Sequence, residues 1–228
     1  MIHAARMAFA DEIDDLQQDL LKMGSTVEQM LHKSIEALRT RNQDLAREAI
    51  AQDDVLDRYN LAVENKCLKL LALQQPMAHD LRAIAAAMKI VTDIERMGDY
   101  VVDIAKVAVR LSDTPLFKPL VNIPAMAELV KKMLHESLQA FVSRDLKLLQ
   151  RVVDADDEID RMDKSLSQSL IDYMKSDPTL TDQAVQLLLI SRYLERLADH
   201  VTNVAERVYY METGEARELH KHIGKSDS

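Results

Sequence analysis

A chain of 228 residues with a formal net charge of -9 and a pI near 5.3 lacks the Lys and Arg excess that nonspecific binding to nucleic acid or anionic lipid requires. Its 4 Gly, 5 Pro and 4% aromatic residues, set among abundant Ala, Leu, Met, Glu, Lys, Gln and Asp, argue against a strand-rich fold and for an all-α one. The single cysteine, Cys67, excludes an internal disulfide framework, and no Cys/His spacing of the zinc-finger kind exists.

In chain order, the first residues lack a basic start followed by a long apolar run, so no signal peptide is predicted, and no apolar window is long enough to span a membrane. Apolar residues then recur at helical spacing: Ile13, Leu16, Leu20, Met23, Val27, Met30, Leu31, Ile35 and Leu38 trace one stripe of a first long helix. After the polar break at 40–44, a second helical pattern runs from Leu45 to Leu73. Pro76 disfavours helical geometry before it, so it ends the second helix and is expected to open the third. The third passes through Ile84, Met88, Val91, Ile94, Val102 and Ala105 to about Leu111. Three prolines in the next stretch, Pro115, Pro119 and Pro124, mark the best domain boundary. Three further helices follow at about 124–142, 145–175 and 179–212, with Asp177-Pro178 before the last. Cys67 and most methionines, including Met23, Met30, Met88 and Met97, fall at core positions.

The two halves match locally, three times and in the same order. Met30-Leu31-His32-Lys33-Ser34-Ile35-Glu36-Ala37 aligns with Met133-Leu134-His135-Glu136-Ser137-Leu138-Gln139-Ala140, and Asp53-Asp54-Val55-Leu56-Asp57-Arg58 with Asp156-Asp157-Glu158-Ile159-Asp160-Arg161. Ile94-Glu95-Arg96-Met97-Gly98-Asp99 aligns with Leu194-Glu195-Arg196-Leu197-Ala198-Asp199. The first two matches are offset by 103 residues and the third by 100, so the copies differ by a short deletion. The expected architecture is therefore two tandem three-helix bundles, one over 1–118 and one over 119–214, with a polar tail at 215–228.

The duplicated motifs carry the chemistry. Glu95, Asp99 and Asp103 are spaced by four, so they share one helix face with about 40° of drift per step. The second copy offers Glu195, Asp199 and Asn203, and the second helices add Asp53 with Asp57 and Asp156 with Asp160. Like charges at this spacing destabilise a helix unless they are compensated, and two compensations are open. One is pairing with neighbours such as Arg58, Arg96, Arg161 and Arg196 on solvated faces. The other is a hard cation held by carboxylate, amide and water oxygens. A ferritin-type di-iron centre would need Glu-x-x-His on two helices, and none of the seven histidines has Glu three residues before it. His32 and His135 are expected to pack beside the apolar stripes of their helices, and His220 and His222 in the tail specify nothing. No phosphate-cradling Gly-rich loop or nucleophilic triad is recognisable, so the chain is expected not to be an enzyme. A carboxylate-bridged metal-binding enzyme or metal-storage bundle is the alternative.

Gln74-Gln75-Pro76, Asp80-Leu81-Arg82 and Glu95-Arg96-Met97-Gly98-Asp99 together resemble the signature of the PhoU family. The second copy supports it through Glu195-Arg196-Leu197-Ala198-Asp199-His200 and Asn203-Val204-Ala205-Glu206, with Ala198 where the family usually has Gly. The resemblance covers about residues 10 to 212. It implies metal ions, among iron, manganese, magnesium and zinc, held at Glu95, Asp99, Asp103, Glu195, Asp199 and Asn203, with Asp53, Asp57, Asp156 and Asp160 contributing. It further implies a homodimeric negative regulator of the phosphate-starvation response. Such a regulator joins the ATPase subunit of the phosphate ABC transporter to the sensor histidine kinase, in the cytoplasm and peripheral to the inner membrane through those partners.

Overall fold

The computed structural model describes residues 2–216 and Leu219, with side chains from Phe9 onward except Ala10; His220 and His222 lie outside the described residues. Helix α1 covers Ile2–Thr40, starting earlier than the apolar stripe required, and the stripe from Leu16 to Leu38 is buried along its length. Asn42 caps α2 (Gln43–Ala51) by accepting a hydrogen bond from the Leu45 amide at 3.1 Å.

Two boundaries differ from expectation. The second helix is broken at Gln52: its amide bonds back only three residues, to Ala49 at 3.2 Å, and a new helix α3 (Asp53–Gln74) begins with two acidic residues in its first turn. Acidic side chains there favour the start of a helix because they face its unsatisfied N–H groups. Pro76 does not open the third helix. Gln75 and Ala78 both take positive φ, 46° and 50°, and turn the chain through Pro76 and Met77, so that α4 (His79–Leu111) starts only after them.

In the second half α5 (Asn122–Ser143) and α6 (Lys147–Ser176) are each continuous, and a 3-10 turn (Pro178–Leu180) leads into α7 (Thr181–Thr213), which ends at left-handed Gly214. At 33 residues each, α4 and α7 are about 50 Å long. Among the described residues there is no strand, and no helix is long and apolar enough to cross a membrane.

Helices α1 to α4 pack together, as do α5 to α7, and the two bundles join through α4 against α7 and α1 against α5. One continuous apolar core runs through both. Along the joint, His79 meets Glu212, Asp93 meets His200 and Arg110 meets Gln186, so α4 and α7 run antiparallel. The contact of Asp93 with His200 and the tilted ring contact of Tyr100 with Tyr193, centroids 6.1 Å apart, exchange places under a shift of 100 residues. The two bundles are thus related by a pseudo-twofold axis through this joint.

The linker from Ser112 to Val121 is fastened to α7 by one side chain. Gln183 accepts from the Phe117 amide at 2.7 Å and donates to the Pro115 carbonyl at 3.0 Å, while Phe117 and Lys118 both pack on Tyr173. Gln183→Ala removes both bonds and is expected to cost about 1–2 kcal/mol and to speed proteolytic cleavage within 112–121. An unchanged cleavage rate would show that the aromatic contacts alone hold the linker.

Candidate functional site

The acidic stripe of the first copy lies on α4 where α3 crosses it, and a glycine allows the crossing to be close. Gly98 faces Leu56, and a Cβ at this position would overlap Leu56 Cδ1 and come within 3.6 Å of Asp53 Oδ1. The approach brings the first turn of α3 against the motif of α4. Burial raises the Glu95 carboxyl above its ordinary pKa, and Asp99, Asp57 and Asp53 push in the same direction against the opposing charge of Arg96. Asp53 is raised in the same way, by burial first and then by Asp57, Asp99 and Asp54, with Lys106 opposing. Four of the expected residues, Asp53, Asp57, Glu95 and Asp99, therefore form one electrostatic group.

The compensation visible within the first copy is modest. Arg96 bonds Asp99 at 3.1 Å and lies 3.8 Å from Glu95, and Lys106 bonds Asp103 at 3.0 Å. Among the described residues no three His, Cys, Asp or Glu side chains are gathered closely enough to hold an ion as they stand. Carboxylate oxygens are the donors a hard cation prefers, and one oxygen of Asp99 is engaged by Arg96.

Raised carboxyl pKa values have a defined sign. The folded chain holds these protons more tightly than the unfolded chain, so the associated stability is complete below the unfolded values near pH 4 and is lost as pH rises through the raised ones. Glu95→Gln removes the share of this dependence that Glu95 carries, and is expected to stabilise the metal-free protein at pH 7 and to flatten its loss of stability as pH rises above about 4. A variant whose denaturation midpoint fell as steeply as the parent's over that range would contradict the grouping.

The second copy repeats the outer contacts: Arg196 bonds Asp199 at 3.3 Å and stands 3.6 Å from Glu195. Its inner contacts differ. Arg192 bonds Asp163 at 2.8 Å and lies 3.7 Å from Glu195, and Ser191 donates to Asp163 at 2.7 Å. Burial raises the Glu195 carboxyl, with Asp199 and then Asp163 adding and Arg192 and Arg196 opposing. Asp156 is buried, 7% exposed, and Asp160 pairs with Lys164 at 3.5 Å. Asn203 turns its amide N–H toward Asp93 on α4, at 3.3 Å, so it serves the joint between the bundles together with His200, which is 2.9 Å from the same oxygen.

His32 and His135 do not pack in the core. Both are exposed, one residue beyond the buried Leu31 and Leu134 and so about 100° round the helix. His135 lies 4.0 Å from Glu28 in a groove of about 620 Å³ between α1 and α5. Cys67 is fully buried, and burial pushes its thiol up to about 12, which leaves it inert at neutral pH.

Asp163, Ser191, Arg192 and Asp93 were not among the expected site residues. Asp163 lies two residues past the end of the second local match and Arg192 two before the start of the third. Extending the alignment by those few positions sets Asp163 against Asn60 and Arg192 against Thr92, a difference that marks the copies as unequal.

Two segments of the chain, 20–108 and 123–208, match the family model described as the PhoU domain. Proteins named as phosphate-specific transport system accessory protein PhoU homologs are similar over nearly the whole chain. That of Clostridium acetobutylicum is 38% identical over 94% of this chain and 98% of its own, and that of Aquifex aeolicus 38% identical over 95% and 98%. The crystal structure of PhoU from Pseudomonas aeruginosa superposes with a TM-score of 0.86 at 32% identity, covering 91% of this chain and all of that one.

Proposed function

We propose, from the premise that this chain belongs to the PhoU family, that it is a non-enzymatic negative regulator of the phosphate-starvation response and a modulator of phosphate uptake. The observation that carries this reading is the near full-length similarity to phosphate-transport accessory proteins, which embraces both bundles and the linker between them. In this role the protein is an adaptor. It links the ATPase subunit of the phosphate ABC transporter to the sensor histidine kinase of the phosphate two-component system, works in the cytoplasm and reaches the inner membrane only through these partners. Its active form is a homodimer.

Two features support the adaptor reading. Leu61 and Leu68 are exposed on one face of α3, Leu73 near its end, Met77 in the turn after it and Leu81 in the first turn of α4, Met77 to 79%. Apolar side chains grouped on a surface mark contact sites for other proteins. The acidic groups are the second feature: Asp53, Asp57, Glu95 and Asp99, with Asp103 alongside, would hold a divalent or ferric ion in the first copy, and Glu195, Asp199, Asp156, Asp160 and Asn203 are the corresponding residues of the second. A bound ion would neutralise the carboxylates and fix α3 against α4. The side chains of this site supply oxygen donors, and Arg96 is bonded to one of them, Asp99.

The test is deletion of the gene, followed by measurement of phosphate-responsive expression and phosphate uptake, with capture of partners from membranes by the purified protein in high and low phosphate. Derepressed expression in high phosphate together with capture of the ATPase and the kinase is expected. Unchanged expression and uptake would overturn the assignment, and abundant iron with catalytic oxygen consumption would favour a metal enzyme instead.

A further inference from the structure

Along α3 one row of side chains is turned directly away from the core. Asp54, Arg58, Leu61, Asn65, Leu68 and Ala72 are spaced alternately by four and three, are all exposed, and fall within about 80° of arc. The buried Leu56, Val63, Cys67 and Leu70 occupy the opposite side of the helix. Alternation of four and three is the repeat of a coiled-coil seam, in which Leu61 and Leu68 take d positions and Asn65 the a position between them. Leu61 is 62% exposed and Leu68 54%. Beside the seam, Glu64 falls at g and Lys69 at e. The side chains of Glu64, Asn65 and Lys69 form no hydrogen bond or ion pair among the described residues.

The internal repeat supplies a control. The corresponding row of α6 is Asp157, Arg161, Lys164, Gln168, Ile171 and Lys175. There Lys164 pairs with Asp160 at 3.5 Å and Gln168 bonds Asp172 at 3.0 Å, so the face satisfies itself within its own helix. It carries lysine where α3 has Leu61 and Ala72, which shows that the fold does not demand apolar residues at these positions.

We propose that the α3 row is the contact face for another molecule of the same protein, the two α3 helices packing parallel and in register about a twofold axis. Leu61 and Leu68 then meet their own counterparts. The two Asn65 amides bond each other across the axis, the way a single asparagine at an a position fixes register. Glu64 of each molecule lies beside Lys69 of the other, the g-to-e pairing that a parallel seam requires. Antiparallel packing would instead set Asn65 against a leucine and leave its amide buried without a partner, which is costly. Each helix is already held by its own bundle, so none has to nucleate on contact. Two heptads make a short seam, and the dimer is expected to dissociate on dilution. Leu73 lies about 100° round the helix from Ala72, and Met77 and Leu81 follow the end of α3, so all three stay outside the seam. The inference rests on the homodimer part of the proposed function and names its contact face.

The test is sedimentation velocity of the full-length protein over a range of concentrations, with helical content checked for each variant. The wild type is expected to dimerise reversibly. Leu61→Glu with Leu68→Glu raises the dissociation constant more than roughly tenfold, while Lys164→Glu with Ile171→Glu on α6 leaves it unchanged. Lys69→Glu sets two carboxylates against each other and weakens the dimer; adding Glu64→Lys restores it. Leu61→Cys is expected to give a disulfide-linked dimer on oxidation, because parallel packing in register brings the two copies of this position within bonding reach. The native Cys67 is buried on the opposite side of the helix and does not interfere. A dimer that tolerates the Leu61 and Leu68 substitutions, is not restored by the reversed charges, or gives no disulfide through Leu61→Cys overturns the inference and leaves the homodimer standing. A wild type that is monomeric at every concentration overturns the two together.

Discussion

Asp163→Ala is expected to lower the unfolding free energy by about 3 kcal/mol. Breaking a buried ion pair by deleting one partner costs about 3–5 kcal/mol where the survivor stays buried. Here the survivor, Arg192, has a side chain 45% exposed and regains water, so the cost falls to the lower end. Ser191 is the second contribution. Its hydroxyl is fully buried, and loses its carboxylate acceptor, 2.7 Å away, retaining the Met126 sulfur at 3.8 Å, a weak acceptor. Asp163→Asn keeps an acceptor for Ser191 and removes the charge, so about half the loss is expected. Denaturant titration of the two variants and the parent decides the matter. A loss below about 1 kcal/mol for Asp163→Ala would mean that the pair is no better than a surface salt bridge.

The second large effect concerns Gly98. Gly98→Val sets a branched side chain against Leu56 across the α3–α4 crossing. Valine regains little helix propensity over glycine, and overpacking of this kind costs about 1–3 kcal/mol. The displacement also carries Asp53 away from Glu95, so the Glu95 carboxyl moves back toward its ordinary value and the pH dependence of stability weakens. Leu56→Ala alone removes a fully buried side chain and is itself destabilising by about 2–5 kcal/mol. Combined with Gly98→Val it vacates the space the valine needs. The double variant is therefore expected to be more stable than the sum of the single losses, by about 1–2 kcal/mol of favourable coupling. Strict additivity would show that the helices separate instead of clashing.

The helical stripes were legible because burial and period coincide: every residue from Leu16 to Leu38 that the spacing selected lies in the core. The break at Gln52 was not, since it needs no Gly or Pro; a tightened turn and two aspartates suffice. Pro76 misled for a related reason. Proline suits the first turn of a helix, yet Gln75 and Ala78 on either side adopt backbone conformations that composition does not announce. At the site, a four-residue spacing put Glu95 and Asp99 on one face, and correctly so. It carried no information on which neighbouring helix would meet that face, so the grouping with Asp53 came from the repeat match and the role of Asp163 escaped. His32 and His135 show the limit of reading along one helix: being next to a stripe is one residue away from being in it.

The joint between α4 and α7 has the form of an isologous interface that has been folded into one polypeptide. In an assembly of two identical repeats, any substitution at such an interface appears on both sides and must suit itself. Once the repeats are covalently joined, each side mutates alone. The joint records that freedom: an aspartate, a histidine and an asparagine form a polar contact on one side of the pseudo-twofold axis, where the other side brings two tyrosine rings together at a tilt. A homotypic contact has become a directional one, and the molecule has acquired two ends that a partner can tell apart.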